Sequence, residues 1–441
     1  MNQGAVCYVS EKKYELEKEV PYILVKGIRD AMAVLANFFY NKPWEDLAVI
    51  GFGGTKGKST STYYMKAVVD DYLAAQDKPE SAVISTIDIY DGKSKVESHI
   101  TTPEAVELQM HLRNALDCNI EYAEMEISSQ ALKYGRVDEM QFDVSVFLNI
   151  SEDHISPIEH PDFEDYFQSK MKMFEKSKTA VVNLDADYID QILEASKVAG
   201  EVVTFSTKNP DADYYAYNIH KEGKDIHFSV KCEAFDEEFV LTMPGFFNVE
   251  NALGVVAASV KLGIPTEYIH SGLRRARSSG RMEFYHSKDH EVMAIVDYAH
   301  NKLSFEKLFS AMKEEFPDYG LVAIFGCPGK KSLLRRKYLG TIAGQYSKMV
   351  YLVAEDPGYE PVEDISKEIA QYVEAQKCPY KMIEDRGEAI KDAIETAEGK
   401  TLLLVTGKGA ETRQKYGCEY LDCPSDVEYV QRYLAEYDSR H

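Results

Sequence analysis

Residues 47–64 read LAVIGFGGTKGKSTSTYY, and the reading of this stretch decides the fold. It opens with Leu47, Ala48, Val49 and Ile50, an apolar run of the kind that forms a buried strand. Glycines follow at 51, 53, 54 and 57, then Lys58, Ser59, Thr60 and a helix-compatible segment. Glycines let the backbone turn tightly, so that N–H groups and the next helix's N-terminus face an anion. In such a cradle Lys58 supplies a point charge near the β- and γ-phosphates, and the Ser59 hydroxyl is suited to Mg²⁺. The strict pattern G-x-x-x-x-G-K-[ST] fails at one position, because Phe52 stands where its first glycine belongs. Strand, Gly-Lys-Ser and helix in this order still favour a phosphate loop over an ordinary glycine-rich turn.

Bulk properties narrow the class. A chain of 441 residues has room for two or three domains, each with its own core. Fifty basic against seventy-three acidic residues leave a net charge of −23, which argues against a general binder of nucleic acid or of membrane surfaces. No apolar run approaches the length of a membrane span. The first thirty residues carry Lys12, Lys13 and Lys18 among glutamates and show no apolar leader. Seven scattered cysteines without a C-x-x-C pair point to reduced thiols in a cytoplasmic protein.

Outward from the loop, the chain alternates apolar strands with helical periodicity. Strands are expected at 81–87, 122–127, 144–150 and 179–184, which predicts a parallel sheet with helices on both faces and ligands beyond the strands' C-terminal ends. Residues 213–243 switch to period-two alternation, the mark of an appended antiparallel meander, and a helix follows at 248–262. The polar segment 278–291 reads as a domain junction. Further strands at 292–296, 321–325, 349–353 and 401–405 make a second α/β domain. Residues 1–46 offer one strand, at 21–25, and one amphipathic helix, at 28–40. The expected division is 1–46, 47–279 and 280–441.

Polar groups cluster where such a sheet presents its site. Glu126 ends the 122–127 strand, placed to bind Mg²⁺ directly or through water, or simply to be a solvated strand-end glutamate. Asp153 and His154 follow the 144–150 strand; His154 reads as a metal ligand or as a structural histidine. Lys170, at the start of a helical pattern, reads by itself as a solvated lysine.

Further segments are GGTKGKST, TTP at 101–103, EISSQAL at 126–132, Arg136, NISEDH at 149–154 and YFQSK at 166–170. GFFNVENA at 245–252, GRME at 280–283, VDYAH at 296–300, FGCPG at 325–329 and GKGAETRQ at 407–414 continue the series. In this order the segments resemble the Mur ligase family, in the branch that adds the third peptide residue of peptidoglycan precursors. The resemblance spans roughly residues 20 to 425. It implies a central P-loop ATPase domain, a C-terminal Rossmann-like α/β domain, and a remnant of an N-terminal UDP-binding domain. The implied reaction uses ATP and two Mg²⁺ ions to activate a carboxylate as an acyl phosphate, which an amine then attacks. By this resemblance Gly54, Thr55, Lys56, Gly57, Lys58, Ser59 and Thr60 cradle the phosphates. Ser59, Glu126, His154 and a carbamylated Lys170 serve the metals, and Lys58, Glu126, His154 and Lys170 form the catalytic set. Asn248 and Asn251 approach adenine, a role compatible with Asn248 also capping its helix. Arg281 faces phosphate and Asp297 ribose; a hinge salt bridge is the plain alternative for Arg281. Thr101, Thr102, Ser128 and Arg136 hold the muramyl-dipeptide end of the acceptor, UDP-MurNAc-L-Ala-D-Glu.

Two departures from the family pattern stand out. Members that take meso-diaminopimelate carry Asp-Asn-Pro-Arg, whose arginine binds the distal carboxylate; here the residues are Glu355, Asp356, Pro357 and Gly358. Arg335 and Arg336 match a basic pair for the amino-acid carboxylate, and Asp356 and Glu411 complete the expected pocket, which suits a lysine-like amine or another residue, with Lys330, Lys331 and Arg413 as alternative cations in place of the missing arginine. The second departure is the short stretch ahead of the phosphate loop, which resembles only the end of a uridine-diphosphate-binding domain. The expected partners are the UDP-muramyl dipeptide and an amino acid, with no nucleic acid, no membrane insertion and a monomeric state. Two other readings stay open: a folylpolyglutamate-type or other Mur-like ligase with a different acceptor, and a non-catalytic nucleotide-binding regulator.

Overall fold

The computed structural model describes residues 5–16, 20–152, 155, 159–223, 225–330 and 333–440. Its centre is an eleven-stranded sheet. Six strands lie side by side and parallel: Glu201–Ser206, Ser177–Asn183, Phe142–Phe147, Ala48–Gly53, Tyr122–Ile127 and Ala82–Ile84. The phosphate-loop strand Ala48–Gly53 is in the middle and buried on both faces, as the near-continuous apolar runs of parallel sheets require. One flank continues through Tyr214–Glu222, Asp225–Lys231 and Asp236–Leu241, whose last two pairings are antiparallel. This is the meander expected from period-two alternation. The other flank ends in the small antiparallel strands Asp88–Tyr90 and Lys95–Glu97.

Helix Lys58–Ala74 covers one face with Phe247–Lys261 and Thr266–Arg275. That apolar cluster runs on into the C-terminal half through Met282, Met293 and Ile295. The second sheet has six strands in the order Glu283–His286, Val292–Asp297, Thr401–Thr406, Gly320–Phe325, Met349–Leu352, Tyr380–Met382. All its neighbours pair in parallel except the first two. The segment 278–291 is therefore only partly a junction. Four of its fourteen residues, Glu283–His286, form an edge strand, too short and too exposed to show a period-two signal.

Other differences are as physical. The strand Glu201–Ser206 and the hairpin Asp88–Tyr90/Lys95–Glu97 lack long apolar runs and escape a pattern search. Ahead of the loop, Tyr8–Ser10 and Tyr22–Leu24 pair as a two-stranded parallel sheet. Helix Ile28–Phe39 then docks through Ala33 and Ala36 against Ala105. Small residues there allow close helix approach to Ala105–Asp117. No helix among the described residues is long and apolar enough to cross a membrane, and all seven cysteines are free.

Candidate active site

The loop after Ala48–Gly53 is shaped by its own glycines and by side chains from neighbouring elements. Gly54 has φ +142° and Gly57 φ +86°, values that disfavour any side chain. A Cβ on Gly57 would also strike the Asn251 amide oxygen. Asn149 clamps the loop from the neighbouring strand's end: its Oδ1 accepts from Lys56 N at 2.8 Å and its Nδ2 donates to Lys56 O at 3.0 Å. Thr55 Oγ1 accepts from Ser151 N at 3.0 Å and bonds the Tyr166 hydroxyl at 2.9 Å. Lys58 Nζ folds over the loop onto Gly54 O at 3.0 Å and Thr55 O at 3.3 Å. The following helix has no acidic residue in its first turn, so its positive end is free of a competing carboxylate.

The strands on either side of the loop strand bring the remaining polar groups to its C-terminal end. Glu126 lies directly opposite Phe52 in the register. Its carboxylate is 1% exposed, and Oε1 accepts from Thr86 N at 2.8 Å. Ser59 is buried nearby, its hydroxyl accepting from Arg281 Nη2 at 3.1 Å. Lys170 is 3% exposed and donates to Gly54 O at 2.8 Å, its Nζ 5.0 Å from the Tyr166 ring centre. It sits in the last turn of Phe163–Met171 rather than at a helix start, where the helix dipole favours a cation. His154 lies outside the described residues. A hydroxyl and a buried carboxylate make an oxygen donor set, which fits the hard ion Mg²⁺.

Asn251 lines a small crevice of about 90 Å³ with Lys56, Gly57, Arg281, Asp297 and Lys307. Asn248 stands behind it: its Oδ1 accepts from Asn251 Nδ2 at 3.1 Å, and its own Nδ2 donates to Pro244 O at 2.7 Å. Asn248 thus positions Asn251 and does not itself line the crevice. Asp297 accepts from Met282 N at 2.9 Å and Ala299 N at 2.7 Å. Burial pushes its carboxyl above the usual range, opposed by the Arg281 guanidinium.

The four expected acceptor residues are gathered beside Glu126. Thr102 Oγ1 donates to Glu126 O at 2.9 Å and lies 3.3 Å from Ser128 Oγ, which also accepts from Ala131 N as a helix cap. Arg136 donates to Thr102 O at 3.1 Å and pairs with Glu104 at 2.8 Å. Thr101 accepts from the Thr86 hydroxyl at 3.2 Å.

In the C-terminal half a cavity of about 360 Å³ opens among strand-end loops, lined by Tyr298, Arg335, Glu355, Asp356, Lys408 and Glu411. Lys408 pairs with Asp356 at 3.1 Å and with Glu411 at 2.5 Å. Burial works against the lysine's charge, and the two carboxylates more than offset it. Asp356 also accepts from Lys415 N at 2.9 Å, with its backbone at φ +44°. Burial raises the Glu355 carboxyl to about 8 against the pull of Arg386 and Arg335.

Arg336, expected here, is elsewhere. It is buried and forked onto Glu360 at 2.7 Å and Glu368 at 2.5 Å, tying its own helix to the next rather than reaching the cavity. Sequence reasoning missed Lys408, although it stands inside the quoted GKGAETRQ, and it missed Tyr298 in VDYAH. Tyr298 lines the crevice at the loop, the C-terminal cavity and a narrow gap between them that Thr86, Glu97 and Arg281 also line. The Arg281 guanidinium stacks 4.5 Å from its ring centre.

Comparison with known proteins matches two family models. Residues 53–259 match the Mur ligase middle domain and 280–409 the Mur ligase, glutamate ligase domain. A UDP-N-acetylmuramyl-tripeptide synthetase of Lactobacillus acidophilus is 31% identical over all of this chain and 87% of its own length. A UDP-N-acetylmuramoyl-L-alanyl-D-glutamate–L-lysine ligase of Enterococcus faecalis is 36% identical over 94% of this chain and 82% of its own. Among solved structures, a UDP-N-acetylmuramoyl-L-alanyl-D-glutamate–2,6-diaminopimelate ligase superposes with a TM-score of 0.65 at 23% identity, over all of this chain and 88% of that one.

Proposed function

The chain belongs to the Mur ligase family, and from that premise we propose that it joins a lysine-like amino acid to UDP-MurNAc-L-Ala-D-Glu at the expense of ATP. It is an ATP-dependent ligase of peptidoglycan precursor synthesis. One observation carries the finer reading: Tyr298 is shared by three chambers, one at the phosphate loop, one in the C-terminal half and one between them. A ligase needs nucleotide, acceptor carboxylate and amine to meet at one point, and holding them there converts a multi-body encounter into a near-unimolecular step.

The loop glycines and the helix N-terminus receive the phosphates, and Lys58 and Arg281 neutralise charge as the acceptor carboxylate approaches the γ-phosphorus. A new carboxylate O–P bond forms while the bond to ADP breaks. Ser59 and Glu126, with Lys170 as its carbamate, would hold Mg²⁺, which supplies further charge neutralisation. Thr101, Thr102, Ser128 and Arg136 orient the acceptor so that its carboxylate projects toward the loop. Asn251 and Asp297 are assigned to the nucleoside. In the second step the amine attacks the acyl carbon and phosphate leaves. Arg335 is assigned to the amino acid's carboxylate, and Glu411, Asp356 and Lys408 to orienting its amine end. Gly358, where an arginine would grip a distal carboxylate, favours a diamino acid without that group. The lysine ligase named among the relatives supports the same choice.

The test is ADP release with the UDP-muramyl dipeptide across lysine, ornithine, diaminopimelate and neutral amino acids. Turnover is expected with lysine or ornithine. Silence across the panel overturns the ligase reading, and preference for diaminopimelate overturns the assignment of the pocket.

A further inference from the structure

The antiparallel meander, on the flank of the central sheet, carries a second cluster of ligand-type side chains that the ligase chemistry does not use. His220, His227 and Glu238 come from its three adjacent strands, and their ligand atoms lie within 4.8 Å of one another. We propose that this solvent face of the meander binds one divalent transition-metal ion of the zinc class.

Backbone register brings the set together. Along Tyr214–Glu222 strict alternation would place Tyr215, Tyr217 and Ile219 on the outer face and turn His220 inward. An irregularity between Tyr217 and His220 breaks that alternation, with Asn218 at φ +50°. A bulge re-aims every side chain beyond it. His220 therefore stands directly across from His227, and the next-but-one residue, Glu222, shares its face. On the far strand Glu238 is the diagonal neighbour of His227, opposite Ser229. The inner faces of the same strands carry Ile226, Phe228 and Phe239, all buried, so the histidines are held on a firm floor.

Side-chain geometry suits one shared ion. His220 Nδ1 lies 2.9 Å from Asn218 O, and a carbonyl can only accept, so Nδ1 carries the proton and Nε2 presents its lone pair. The two imidazole centres are 5.5 Å apart. Metal–nitrogen bonds of about 2.0–2.1 Å hold two ligating rings at a similar spacing. His227 Nδ1 lies 3.3 Å from Glu238 Oε2, a separation that two ligands on one tetrahedral ion adopt, and Glu222 Oε2 lies 3.6 Å from the same histidine's Nε2. Two imidazoles with a carboxylate select Zn²⁺, Co²⁺, Ni²⁺ or Cu²⁺ over Mg²⁺, whose preference for oxygen serves the phosphate loop instead.

The experiment titrates the full chain with Co²⁺, read by its visible d–d bands, and with Zn²⁺ in competition with a chromophoric chelator. One equivalent is expected in the micromolar range or tighter. His227→Gln should weaken it at least tenfold, and Glu238→Gln severalfold, with ligase turnover unchanged in both. Ser229→Ala, on the same face, serves as a folding control and should bind normally. Absence of stoichiometric Co²⁺ or Zn²⁺ binding overturns the proposal. So does binding that survives unaltered in a His220→Gln/His227→Gln double variant, because the ion then sits on cysteines or at the phosphate loop.

Discussion

The two ends of the proposed reaction chamber, the phosphate end and the amine end, are built differently. At the phosphate end the geometry is mostly backbone: two glycines at positive φ, the start of Lys58–Ala74, and the Asn149 clamp fix the loop. At the amine end the geometry is mostly side-chain charge: Lys408 is suspended between Asp356 and Glu411 over loops that come from distant strands. Backbone cradles tolerate no change in the step they serve, which suits a phosphate common to every turnover. Balanced charge pairs can be retuned one residue at a time, which suits a pocket whose occupant differs between relatives.

The largest expected effect tests the phosphate end. Lys58→Ala should lower kcat by about 10²- to 10³-fold, the scale of losing one preorganised electrostatic contact in a transition state. Pre-steady-state measurement of ADP formation checks it. A loss confined to the KM for amino acid would break the contrast drawn above.

Next comes the amine end. Lys408→Met strips a buried cation from two carboxylates and should raise the KM for the amino acid roughly ten- to hundredfold, given about 1.5–3 kcal/mol for hydrogen bonds to charged groups. The KM for ATP should stay within about twofold of the wild type. Equal increases in both would mean that the two ends are not separable.

A third prediction concerns stability. Two buried carboxyls are raised by burial to about 8: Glu124, on the strand beside the phosphate-loop strand and near Lys66 and Asp70, and Glu355 in the C-terminal cavity. A raised carboxyl leaves the native state holding more protons than the unfolded chain between the ordinary glutamate value of 4.5 and about 8. Stability should therefore fall as pH rises through that window. Urea unfolding midpoints at pH 5 and pH 8, as about the two ends of it, should differ less in Glu124→Gln and in Glu355→Gln than in the wild type. Identical pH dependence in all three would refute the assignment.

The smallest effect is at the seam. Glu97 accepts from Thr412 Oγ1 at 3.0 Å and pairs with Arg413 at 3.3 Å, bridging the central and C-terminal halves. Partly exposed pairs contribute about 0.2–1 kcal/mol, so Glu97→Ala should raise KM values by no more than about fivefold. Small-angle scattering should show a more open average shape for the variant without ligands. A larger kinetic penalty would give Glu97 a part in the reaction beyond bridging the two halves.

The same contrast explains what could be read from the sequence. The phosphate loop, the two strands beside it and the meander are local features. Glycine spacing, apolar runs and period-two alternation are each set by neighbours in the chain, so 47–64, 122–127 and 213–243 were legible before any contact was known. The family resemblance added Glu126, Asn251, Arg281 and the acceptor cluster as candidates, with roles that rest on the proposed function. Edge strands such as Glu283–His286 and Lys95–Glu97 were not legible, because one solvated face and short length remove the pattern.

Side-chain partnership was decided only in three dimensions. Arg335 and Arg336 are adjacent and chemically identical, yet one lines the cavity and the other is forked onto Glu360 and Glu368. Successive residues on a helix point about 100° apart, and only packing determines which of them meets a carboxylate. Lys408, Asp356 and Glu411 meet for the same reason, across 52 residues in one pair and three in the other. The chain alone pointed to a phosphate loop on a parallel sheet, because glycines between strand and helix, followed by Lys58 and Ser59, suit an anion at the helix N-terminus. Tertiary structure decided where Tyr298 stands and which charges surround it, because electrostatic partners are chosen by distance in space and not by distance along the chain.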